Sequence, residues 1–144
     1  MNILMHICCA PCANRPIDAL HQEGIAVTGF WFNPNIHPYT EYQARKRTLE
    51  DYSREIGMKL IIGGSYDLRT FICSVAGNID GRCAYCYRMR MEETARYAAE
   101  NGYDSFTTSL LVSPYQKHDA IAAIARQMGE QYGVEFLYRD FRPL

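Results

Sequence analysis

The chain has 144 residues, 48% of them apolar or aromatic, with six cysteines and a formal net charge of −1. That length supports one buried core and one domain, and the near-neutral charge excludes a general electrostatic grip on nucleic acid, so any RNA contact must use a local basic patch. Met1 to Ile7 lacks the charged, apolar and cleavage regions of a secretory signal, and no apolar run approaches membrane-spanning length, so the expected location is the cytosol, where thiols stay reduced.

In chain order, Ile3 to Ile7 reads as a strand, followed by a cysteine-rich loop and a helix from about Arg15 to Glu23 that Gly24 stops. Ile25 to Phe32 is expected to be a second buried strand. Thr40 with Gln43 three positions on is a capping-box signal, and Tyr42, Leu49, Tyr52 and Ile56 form the stripe of a helix ending at Gly57. Met58 to Ile62 reads as a third strand and Asp67 to Ser74 as a short helix. From Cys83 to Glu100, Tyr87, Met91, Ala95 and Ala98 share one helical face opposite Arg88, Glu92, Arg96 and Glu100, and Asn101-Gly102 ends the pattern. Ser105 to Val112 contains a fourth strand with a polar end at Thr107, Thr108 and Ser109. Ser113-Pro114-Tyr115-Gln116 opens a helix striped by Ile121, Ile124, Ala125 and Met128, and Val134 to Tyr138 is the fifth strand.

Alternating strands and helices predict a parallel sheet covered on both faces, with right-handed crossovers. In such sheets ligands gather at the carboxyl ends of the strands, where loops lead into helix starts. Five of the six cysteines fall at two such places: Cys8, Cys9 and Cys12 after the first strand, and Cys83 and Cys86 in the first turn of a later helix. Partial positive charge at a helix start favours the thiolate, the form that binds metal. Several soft thiolates brought together point to a metal or redox site, and five exceed the four that one tetrahedral zinc or one cubane cluster takes. No phosphate-binding glycine loop is present.

Two other chemistries suit the same thiols. Cys9-Ala10-Pro11-Cys12 is a C-x-x-C after a strand, as in a thioredoxin-like or glutaredoxin-like thiol-disulfide oxidoreductase, but Pro114 is expected to start a helix rather than precede a strand opposite the thiols. A zinc-stabilised RNA-binding module would need only four of the five. Cys73, beside Phe71, Ile72 and Val75, reads as a packed thiol. His6, inside a strand, reads as a satisfied core histidine, with a ligand role kept open by its nearness to Cys8, and His21 and His118 read as surface positions. Asn33 to Tyr39, with His37 and Tyr39, follows the second strand and should border the cysteine rim, although turn chemistry explains its prolines and asparagines as well. Tyr42, Arg45, Lys46 and Arg47 suit a phosphate and a stacked base, and a solvated helix face accounts for the charges equally well.

The sequence resembles the cobalamin-independent epoxyqueuosine reductases (QueH) over essentially its whole length. The likeness runs through His6-Ile7-Cys8-Cys9-Ala10-Pro11-Cys12, Tyr39 through Glu41-Tyr42, Arg82-Cys83 through Cys86, Phe106-Thr107-Thr108-Ser109-Leu110-Leu111 with Ser113-Pro114, and Gly133 through Phe136. The resemblance implies a three-layer Rossmann-like α/β fold of the adenine-nucleotide-α-hydrolase-like (HUP) type, with a five-stranded, mostly parallel sheet. It also implies a 4Fe-4S cluster with an adjacent metal ion, expected to be iron, and reduction of epoxyqueuosine to queuosine at the wobble position of tRNA. The partners are then a tRNA anticodon stem-loop carrying epoxyqueuosine and an electron donor that the residues do not specify. On that footing Cys83, Cys86 and one or both of Cys8 and Cys9 are assigned to the cluster. Cys12, with a share from Cys8 or Cys9, is assigned to the second metal and to catalysis. His37, Tyr39, Tyr42, Arg45, Lys46, Arg82 and Arg88 are the substrate-side candidates. Members of the family usually continue past the fifth strand to a Cys-Gly-Cys motif, so the chain is expected to lack a C-terminal segment.

Overall fold

The computed structural model describes residues 2–8, 10–33, 39–63, 82–112 and 118–142, with the side chains of 39 and 82–86 outside that description. Within it lie β1 (Asn2–His6), α1 (Ala10–Gln22), β2 (Ala26–Trp31), α2 (Tyr39–Ile56), β3 (Leu60–Ile62), α3 (Arg82–Glu100), β4 (Ser105–Thr108), α4 (His118–Tyr132) and β5 (Glu135–Phe136). The five strands form one sheet in the order β3-β2-β1-β4-β5, and every neighbouring pair is parallel. The helices pack in two pairs, α1 with α2 and α3 with α4.

β1 occupies the centre of the sheet because it is apolar on both sides: Ile3, Leu4, Met5 and Ile7 are fully buried. One face is sealed by Phe30 against Tyr97 of α3, with ring centroids 5.1 Å apart, and the other by Trp31 against Tyr42 of α2 at 5.4 Å. Gly29 lets the loop after α2 and the neighbouring strand ends come close, since a Cβ there would lie 2.9 Å from the Met58 side chain and 3.1 Å from Ile7 and Leu60. Gly129 does the same for α4, whose backbone approaches β5 so closely that a Cβ would fall 2.7 Å from the Val134 carbonyl oxygen.

The helices stop where the sequence indicates. Gly24 (φ 78°) accepts the left-handed conformation that side chains resist. The Ile25 N–H then reaches back to the Leu20 carbonyl at 3.0 Å, closing the last turn of α1. The α3 stripe of Tyr87, Met91, Ala95 and Ala98 is buried as its period predicts.

Several boundaries differ from the sequence reading. α1 begins at Ala10, five residues before Arg15, so Cys12 belongs to its first turn and not to a loop. Pro11 is tolerated there because first-turn N–H groups have no partner inside the helix. α2 begins at Tyr39, which puts Thr40 inside the first turn instead of at the cap. Its stripe ends in Ile56, which is 39% exposed. Ser109–Val112 is a 3₁₀ turn, not the end of β4, and β3 and β5 are shorter than expected. His118 is buried rather than on the surface: its Nε2 meets the Tyr138 hydroxyl at 2.8 Å as α4 folds onto the segment after β5. The expected helix at 67–74, with Cys73, and the Ser113-Pro114 helix start lie outside the described residues.

Candidate functional site

The chain runs from β1 through β2 to β3 in one direction, then returns so that β4 lies on the other side of β1. This reversal makes the carboxyl ends of β1 and β4 the switch point of the sheet, the usual ligand position in open parallel sheets. Cys8 follows β1 at that point, and Ser109 follows β4 directly beside it. The Cys8 N–H donates to Ser109 Oγ at 3.2 Å, and Cys8 Sγ lies 3.6 Å from the same oxygen.

Just below, His6 ties three segments together. Its Nδ1 is 3.0 Å from Thr108 Oγ1, and its Nε2 is 3.0 Å from Asn33 Oδ1 and 3.2 Å from the Phe32 carbonyl. Asn33 donates through Nδ2 to the Ile7 carbonyl at 2.9 Å, which leaves Oδ1 as an acceptor. With two acceptors facing it, Nε2 carries the ring proton, and Nδ1 accepts from the Thr108 hydroxyl. The Thr108 oxygen also accepts the Leu110 N–H at 3.1 Å, pinning the start of the 3₁₀ turn. Burial, and next the nearby charge of Arg90, push the His6 imidazole down to about 3, so it is neutral at physiological pH. His6 is thus the satisfied core histidine that its place in a strand suggests.

Arg90, itself 5% exposed, stacks over the Tyr87 ring at 5.6 Å. It lies in the third turn of α3, and its charge is the second cause that lowers the His6 imidazole. Asn33 lies at the rim, as its segment was expected to, whereas Arg90 is not among the residues that sequence reasoning picks out for the site. A signal for Arg90 does exist, because it falls three residues after Tyr87 within the buried stripe.

Each helix after a parallel strand runs antiparallel to the sheet, so α1, α2 and α3 all start at the carboxyl rim and aim the positive ends of their dipoles there. Cys8 and Cys12 are partly buried thiols at this rim. Cys83 and Cys86 fall in the first turns of α3, and their thiols, like all of Cys9, lie outside the described atoms. Among the described residues no three Cys, His, Asp or Glu side chains converge on one point.

Of the substrate-side candidates, His37 and the side chains of Tyr39 and Arg82 fall outside the described residues. Tyr42 is 5% exposed and packs edge-on against Trp31, a place in the core. Arg45 is exposed and paired with Glu41 at 2.6 Å, Lys46 is half-buried, and Arg88 is exposed. No helix among the described residues is long and apolar enough to cross a membrane.

The fold therefore defines a parallel α/β protein with Cys8 and Cys12 at the carboxyl end of its central strand. A family profile described as "Epoxyqueuosine reductase QueH" matches residues 3–144. A curated relative of that name from Dehalococcoides mccartyi is 41% identical over 140 residues, covering 97% of this chain and 77% of the relative. Those from Thermotoga maritima and Histophilus somni are 30% and 34% identical and are covered over 74% and 58% of their lengths. The chain belongs to the epoxyqueuosine reductase QueH family, and the oxidoreductase function in tRNA modification expected from the sequence is that of the family. A solved structure titled as a predicted subunit of tRNA methyltransferase, from Methanocaldococcus jannaschii, shares the fold, with a TM-score of 0.64 at 12% identity over 99% of this chain and 69% of that one.

Proposed function

We propose that the chain reduces epoxyqueuosine to queuosine in the anticodon loop of tRNA, using an iron–sulfur cluster held at the carboxyl rim by Cys83, Cys86, Cys8 and Cys9, with Cys12 at an adjacent metal ion. The observation that carries this reading is the position of Cys8 and Cys12 at the switch point, on the end of β1 and the first turn of α1. The donor set fits such a group. Thiolates are its ordinary ligands, and helix starts and a hydroxyl offset the negative charge that a ligated cluster carries.

Taking the oxygen from an epoxide to leave an alkene consumes two electrons and two protons and releases water. A cluster held there would supply electrons one at a time, and a metal ion beside it would act as a Lewis acid toward the departing oxygen. The protein's own residues hold the frame. His6 is neutral, with its only N–H directed at Phe32 and Asn33, so it positions the β1 terminus and is no proton source. Ser109 holds Cys8. Arg45, Lys46, Arg82 and Arg88 belong to helices that start at the rim, where they meet the anticodon backbone.

Anaerobic purification and reconstitution test this directly. A brown protein with iron and sulfide that converts epoxyqueuosine in tRNA, followed by mass spectrometry of the nucleosides, is the expected result. A colourless zinc protein, or a metal-free dithiol that exchanges disulfides through Cys9 and Cys12, overturns it. Cys12→Ser should keep the cluster iron and lose turnover; loss of all iron would refute the assignment of Cys12 to the second metal.

A further inference from the structure

Ser109 is fully buried, yet its hydroxyl points at Cys8 across 101 positions of sequence. A hydroxyl has one proton and two lone pairs. One lone pair accepts the Cys8 N–H at 3.2 Å, which leaves the proton available to the Cys8 sulfur 3.6 Å away. In a protonated thiol either partner can donate. A ligated thiolate has no proton, so Ser109 becomes the only donor of the pair.

Both ends of this contact are pinned. On one side His6 and the Leu110 N–H hold Thr108, the residue before Ser109. On the other, Asn33 grips the carbonyl of Ile7, the residue before Cys8. The backbones that carry the hydroxyl and the sulfur are therefore held side by side by the frame beneath them. Hydrogen bonds to cluster sulfurs are one of the protein's controls on potential, because they stabilise the more negative, reduced state.

We propose that Ser109 is a positioning residue for the Cys8 sulfur: its hydroxyl proton is donated to the Cys8 thiolate, which fixes the direction of that sulfur and raises the reduction potential of the group it ligates. This rests on Cys8 being a cluster ligand, as proposed above.

The test compares the reconstituted parent chain with Ser109→Ala and Ser109→Thr by iron and sulfide content, thermal melting and an anaerobic redox titration. Ser109→Ala is expected to keep its iron and shift to lower potential, moving the reduction equilibrium by up to about tenfold, or about 59 mV for one electron. Ser109→Thr, which keeps the hydroxyl, should return the potential toward the parent's. A folded Ser109→Ala that no longer takes up iron also supports the proposal, through loss of the sulfur's position. An iron-loaded Ser109→Ala with the parent's potential overturns it and leaves the metal assignment standing. Failure of both variants to fold gives Ser109 a packing role only and likewise overturns it. A parent chain that binds no iron refutes the function proposed above, a distinguishable outcome.

Discussion

Replacing His6 by glutamine should remove a specific part of the protein's acid sensitivity. In the folded chain the imidazole is pushed down to about 3, chiefly by burial and then by Arg90, against 6.5 for the ordinary group. A depressed folded value means that the unfolded chain binds the extra proton first as acid is added. The stabilising contribution is therefore fully present above about pH 6.5 and is lost progressively as pH falls from there toward 3. Each pH unit inside that window carries up to about 1.4 kcal/mol, so between pH 7 and pH 5 the parent should lose about 2 kcal/mol through His6 alone. The glutamine side chain of the variant does not titrate, and its amide can still donate toward Phe32 and Asn33 and accept from Thr108. Urea unfolding of the metal-free, reduced protein at the two pH values measures both losses. The parent should fall by about 2 kcal/mol more than His6→Gln. Equal losses would mean that His6 is not held neutral in the fold, and the tautomer assigned to the rim network would fall with it.

Two further outcomes follow from the packing and the charge. Gly129→Ala places a methyl group 2.7 Å from the Val134 carbonyl oxygen, a backbone atom that cannot rotate away. It should lower stability by about 1–3 kcal/mol, read as a reduced melting temperature. Charge reversal at Lys46 or Arg88 should weaken binding of the tRNA anticodon stem-loop more at low salt than at high salt, measured by fluorescence anisotropy. Unchanged affinity would remove that residue from the RNA face.

Much of the fold is legible locally. The α3 stripe from Tyr87 to Ala98 is buried because a helix repeats every 3.6 residues whatever surrounds it. Gly24 and Gly57 end α1 and α2 because few other residues take a positive φ. The differences arise where two local signals compete. α1 begins at Ala10, ahead of the expected start near Arg15, and accommodates both Pro11 and Pro16. The apolar run through Leu110 and Leu111 continues the β4 pattern, yet the backbone turns into a 3₁₀ helix once Thr108 accepts the Leu110 N–H. His118 reads as exposed because its neighbours are polar, and Tyr138, twenty residues away, buries it.

Order along the chain was enough to assign a parallel α/β class and to set Cys8, Cys9 and Cys12 after a first strand and Cys83 and Cys86 at the opening of a helix, since periodicity and helix punctuation act over a few residues. Which polar groups meet was settled by strand pairing. The register of β1 against β4 sets His6 opposite Thr108 and carries Ser109 to Cys8. Partners a hundred positions apart leave no periodic trace in either segment, because their meeting depends on the whole sheet closing with β1 at its centre.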